Sequence, residues 1–215
     1  MSKLSNLELY KYAQDKYDKY NSPHITKRTF QWMYSEARKE WLRQKLKDYE
    51  TVEQVRMDLL PFNRERDFLN TKRINLNQVA PDKIEQRTGV WADFEFECNG
   101  AVTIYTFPVQ PLTKDVAAVL MTDPFNQPSD EFPYYLDKND GQPYLEILST
   151  TTPQVVTLSY IKAPKDYDLI NDPNGYTEEE ETQQYEILDI SVKKVELSIE
   201  NFAKFQGMRE EIQTN

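Results

Sequence analysis

Apolar residues at Tyr185, Leu188, Val192, Val195, Ile199 and Phe202 recur at steps of three and four, the spacing of one helix face. A second stripe, with steps of three to five, joins Phe30, Met33, Tyr34, Ala37, Trp41 and Leu46. A looser one holds Leu7, Tyr10 and Tyr17, and the run Asn21 to Pro23 closes it. "TVEQ", from Thr51 to Gln54, has the form of a capping box. It predicts a short helix carrying Val52, Val55, Leu59 and Leu60, stopped by Pro61. Thr177 is the expected N-cap of the last helix. The acids Glu178 to Glu181 then fall in its first turn, where the helix dipole favours negative charge.

Between these helices the period changes to two. In "GVWADFEFE", Val90, Ala92, Phe94 and Phe96 alternate with polar residues and predict a half-buried strand. "AVTIYTF" follows as its hairpin partner. A two-residue Asn-Gly turn pairs Phe96 with Thr103 and sets Glu95 opposite Ile104. A three-residue loop, Cys98 to Gly100, pairs Phe96 with Val102 and Phe94 with Ile104. The second register keeps apolar residues together and is the expected one. "FPYYLD", "PYLEILS" and "QVVTLSYIKAP" read as further strands, with "KNDG" turning the first into the second.

The pattern predicts an α+β protein. N- and C-terminal helices form a small bundle, and an antiparallel β-rich module is inserted between them. The boundaries are 1–62 for the first helical part, 63–176 for the module and 177–215 for the closing helix.

Charge and chemistry narrow the function. A net charge of −10 disfavours binding to phosphates, and the densest group of Lys and Arg, "KRTFQWMYSEARKEWLRQKLK", is interspersed with Glu and reads as a solvated helix face. No run approaches the ~20 apolar residues of a membrane span, and the N-terminus lacks a signal-peptide core. Synthesis in a cytoplasm, without membrane association, is expected. The single His24 excludes histidine-rich metal sites, and the single Cys98 excludes an internal disulfide framework. No phosphate-binding glycine loop or nucleophile elbow occurs. No catalytic, metal or cofactor-binding residue is expected. Fourteen tyrosines against five glycines suit protein contacts or a thin core.

Several stretches, in order, resemble a family. They are the helical pair "ITKRTFQWMYSEARKEWLRQKLKDYETVEQVRMDLLPF", the Pro-Phe element "VQPLTKDVAAVLMTDPFNQP", the strand "VTLSYIKAPKDYDL" and the helix "YEILDISVKKVELSIENFAKFQ". Together they resemble the head-to-tail ring proteins (connector, collar or portal-adaptor-like) of crAss-like tailed bacteriophages. Where related sequences often carry Trp-Arg after the Pro-Phe element, this chain has Tyr134 to Leu136.

The resemblance implies a virion structural protein at the portal vertex, neck or tail, made in the host bacterial cytoplasm. It implies a cyclic homo-oligomer, twelve-fold by the family pattern. Portal and other ring or tail proteins would be its partners, with DNA passing through the lumen without sequence-specific binding. The Pro-Phe element would be a structural bracket or interface built on Thr113, Pro124, Phe125, Pro128, Tyr134 and Tyr135, with Thr113 capping a helix packed through Ala117 to Met121. The bundle core would hold Phe30, Ala37, Trp41, Leu188, Val192, Val195 and Ile199. Two other readings stay open: a DNA-packaging or nucleic-acid-processing accessory factor, and a carboxylate-based virion hydrolase.

Overall fold

The computed structural model describes residues 3–18, 25–79, 83–98 and 100–194. Helix takes up 37% and strand 32%, which makes the protein α+β. The chain divides into two compact units: Met1–Pro61 with Pro164–Asn215, and Phe62–Ala163.

The first unit holds α1 (Asn6–Asp18), α2 (Lys27–Lys47), α3 (Glu53–Asp58) and α5, helical over residues 181–194. A capping box opens α1. Glu8 N–H donates to Ser5 Oγ at 3.4 Å, and Ser5 N–H donates to the Glu8 carboxylate at 2.8 Å. That pairing holds the Glu8 carboxyl below its ordinary pKa. Thr26 caps α2 by accepting from Thr29 N–H. Leu9, Ala13, Phe30, Tyr34, Ala37, Trp41, Leu42, Leu188 and Val192 are buried. Polar contacts join α5 to its neighbours: Trp41 Nε1 donates to Glu186 at 2.8 Å, Lys194 pairs with Glu40, and Lys16 of α1 with Asp189. Val195 and Ile199 lie outside the described residues.

Two expected caps are corrected. The N-cap of α3 is Val52, without a side-chain bond. Thr51 instead closes the turn after α2, donating through its hydroxyl to Asp48 O at 3.2 Å. Thr177 is not the cap of α5. It is buried and accepts from Gln184 at 2.9 Å. Glu180 holds the cap position: its carbonyl accepts from Gln184 N–H, and its N–H donates to Gln183 Oε1. Glu178 and Glu179 precede the helix because Arg38 draws both toward α2.

The boundary at 176 is also corrected. Residues 164–176 belong with the helices because their anchors lie there. The Tyr167 ring packs 4.7 Å from Tyr34 and 5.8 Å from Phe30, and its hydroxyl donates to Asn6 O at 2.5 Å. Asn6 in turn donates to the carbonyls of Asp168 and Asp172.

The second unit is a sandwich of two four-stranded sheets. One has the order β1 (Asn63–Leu69), β8 (Val155–Lys162), β3 (Ile84–Cys98), β4 (Ala101–Pro108). The other has the order β2 (Arg73–Asn75), β7 (Pro143–Leu148), β6 (Tyr134–Asn139), β5 (Gln110–Leu112). Inward residues of both sheets make one core: Phe68, Val90, Ala92, Phe94, Val156 and Leu158 from the first, Ile74, Leu145 and Ile147 from the second. The module is not wholly antiparallel, since β5 runs parallel to β6. A parallel pair needs a crossover, and α4 (Lys114–Leu120) lies within it.

The β3–β4 hairpin takes the register of a two-residue turn, not the expected three-residue one. Phe96 faces Thr103, Glu95 faces Ile104, and Gly100 sits at φ +77°. Aromatic packing decides it. The register gathers Phe94, Phe96, Tyr105 and Phe107 on one face, with centroids 5.7–6.4 Å apart. Val102 and Ile104 are left exposed on the other.

Candidate interaction surface

Residues 113–133, which carry Thr113, Pro124, Phe125 and Pro128 of the Pro-Phe element, bridge β5 and β6 as a bracket. Its feet are adjacent parallel strands: Gln110 pairs with Tyr134, Pro111 with Tyr135 and Leu112 with Leu136. Gln110 N–H donates to Pro133 O at 3.1 Å, and Pro133 is buried. Val109, buried, ties the start of β5 to β3 by donating to Val90 O at 2.8 Å.

Thr113 stands at the N-cap of α4, and its carbonyl accepts from Ala117 N–H at 2.9 Å. Its side chain, however, makes no capping bond. Nor does the helix pack through the whole of Ala117 to Met121. Ala117 alone of that run is buried, while Val116, Val119 and Met121 are exposed. At seven residues, α4 spans about two turns and buries one narrow side.

After α4 the chain turns through Asp123, Pro124, Phe125 and Asn126. Asp at the first position and Pro at the second fit a type I turn. Asp123 fixes it: one carboxylate oxygen accepts from Phe125 N–H at 2.9 Å and the other from the Asn126 amide at 2.6 Å. The Asn126 amide, then the Phe125 N–H, hold the Asp123 carboxyl below its ordinary pKa. This turn places Phe125 at its tip, 93% exposed. Phe132, 69% exposed, stands in a second turn closed by Ser129. Asp130 fastens that turn to Thr151 through two bonds of 2.8 Å. Pro128 is half-buried and Pro124 exposed. Tyr134 and Tyr135 are half-buried in β6, and Tyr135 packs against the sandwich core.

The bracket therefore joins a hydrogen-bonded base to an apolar crest. Val116, Val119, Met121 and Phe132 were not singled out as surface residues, because at helical or strand spacing such residues read as core. The Asp-Pro pair was the readable signal for a turn that would present Phe125.

The first unit holds a buried ionic cluster. Arg38 Nε lies 2.6 Å from Glu179, its Nη2 lies 3.2 Å from Glu178, and Nη1 donates to Lys165 O. Burial opposes the Arg38 charge, but the Glu179 carboxylate outweighs it and raises the guanidinium pKa above its ordinary value. A cleft of about 180 Å³ opens beside the cluster, bordered by Asn6, Lys165 and Asp172 among others. The cluster's bonds tie α2 to residues 164–180, so its role is to hold that segment.

Among the described residues, no group of three or more His, Cys, Asp or Glu is placed to hold a metal ion. No described helix is long and apolar enough to cross a membrane. His24 lies outside the described residues, and Cys98 ends β3 at the hairpin. Comparison with protein-family models and with curated proteins finds no match for this chain.

Proposed function

We propose that this protein is a structural subunit of a phage virion, one copy in a head-to-tail connector ring that joins portal to tail around the DNA channel. The observation that carries the reading is the bracket, a braced turn holding Phe125 93% exposed. Exposing a phenylalanine on a fixed support forgoes its burial within the subunit, which is compensated when a partner covers it. A closed ring gives each copy two neighbours and heterologous contacts. The net charge of −10 suits a lumen that DNA crosses without sticking.

Particle averaging of the purified protein and of virions tests this. The expected result is a closed ring at the portal vertex. A particle that stays monomeric at every concentration, with no density for the chain in the virion neck, overturns it.

A further inference from the structure

We infer that the bracket docks on the first turns of α2 in the neighbouring copy, around Lys27, Arg28 and Trp32. This rests on the ring reading and names the two surfaces that meet.

The first observation is charge. Residues 113–133 carry Asp115, Asp123, Asp130 and Glu131 against Lys114, a balance of −3. Asp123 is committed to the bracket's own turn and Asp130 to Thr151, whereas Asp115 and Glu131 are exposed. In a chain of net charge −10, α2 carries the opposite sign. Its seven Lys and Arg against Glu36 and Glu40 give +5. Arg38, Lys39 and Lys45 are engaged by carboxylates of their own chain. Lys27 and Arg28 stand exposed at the start of the helix.

The second observation is a breach of local rules. A helix N-terminus favours acids and disfavours cations, yet the first turn of α2 holds Lys27 and Arg28 and no acid. One turn on, four residues from Arg28, Trp32 is 67% exposed, although burying its indole would contribute strongly to stability. Cations against a helix dipole and an exposed tryptophan at the same place are locally unfavourable choices. An acidic, apolar partner reverses both. Trp and Arg are also the residues that dominate interface energetics.

The third is area. At the ~150–250 Å² offered by a large side chain, the exposed fractions of Val116, Val119, Met121, Phe125 and Phe132 leave on the order of 600 Å² of apolar surface. That approaches the ~800 Å² per partner of a standard interface. The chain carries both an acidic apolar crest and a basic helix face with a tryptophan, so a second copy supplies the complement.

Cross-linking between single-cysteine copies tests the pairing. In a Cys98→Ser background, Ala118→Cys and Thr29→Cys copies, which keep Phe125 and Trp32, are mixed with a short bis-maleimide. Both positions are exposed, and thermal melts check folding. The mixture should give a dimer band at least tenfold above either variant alone. Arg28→Glu in the Thr29→Cys copy should abolish the band, and Glu131→Lys in the Ala118→Cys copy should restore it. Equal yields from the mixture and from the single variants overturn the inference, as does insensitivity to both charge reversals. If rings are seen by averaging while the band is missing, the surfaces named here are wrong and the ring reading stands. If averaging shows neither rings nor neck density, the ring reading itself falls.

Discussion

Replacing Arg38 by Met puts the buried ionic cluster to a quantitative test. Arg38 is 2% exposed and Glu179 is fully buried, with Nε and Oε1 2.6 Å apart. At an effective dielectric near 20, a close pair of unit charges attracts by about 4 kcal/mol. Glu179 Oε2 has no hydrogen-bond partner among the described residues, so Arg38 is the main compensation for this carboxylate. Glu178, partly exposed, regains water when released. Arg38→Met should therefore destabilise by roughly 3–5 kcal/mol, most of it the cost of a stranded Glu179. The double variant Arg38→Met/Glu179→Met removes the charge and both desolvation costs, and should recover more than half of that loss. Urea unfolding of these variants and of Glu179→Met, followed by tryptophan fluorescence, to which Trp41, buried in the same unit, contributes, completes the double-mutant cycle. A single-variant loss under 1 kcal/mol, or a double variant no more stable than Arg38→Met, would refute the reasoning.

Other expectations follow from the same structure. Phe125→Ser should shift the unfolding free energy by no more than about 0.5 kcal/mol, because the ring is 93% exposed, while sedimentation shows weakened self-association. Gly100→Ala should cost roughly 1–2 kcal/mol at φ +77°, measurable in urea, because a Cβ strains the left-handed conformation. Burial, then the Glu179 carboxylate, hold the Tyr34 hydroxyl well above its ordinary pKa, and burial does the same for Tyr167. The folded chain then keeps protons that the unfolded chain releases above pH ~10. Stability should be level below that pH and fall as pH rises through the folded values. In alkaline melts Tyr34→Phe should flatten the slope, and an unchanged slope would contradict the assignment.

The α+β class was legible because long stretches obey a single period. Val90, Ala92 and Phe94 alternate cleanly with polar residues, and all three are buried. β1 was missed because it is an edge strand, where only Phe68 is buried and Arg64 to Asp67 are charged. The hairpin register was misjudged by pairing residues on hydropathy alone. Tyr105 and Phe107 belong with Phe94 and Phe96 as rings, and that grouping outweighs the exposure of Val102 and Ile104. Glu178 and Glu179 read as a helix start because partners 140 positions away are invisible to a local pattern. The bracket's location was readable from its prolines. Its exposed face was not, since Val116 and Val119 carry no local sign of which way they point.

The inserted sandwich begins and ends on paired strands. Asn63 faces Ile161, so the chain enters and leaves it through neighbouring backbone positions, about 5 Å apart as in any antiparallel pair. Such a unit makes little geometric demand on whatever carries it. A surface turn whose ends lie one strand spacing apart is a sufficient docking point, and loop-closure entropy changes only slowly with the length inserted. Residues 62–163 are thus built as a transferable cassette. Grafted into an unrelated host at a tight turn, they should fold there with their own core.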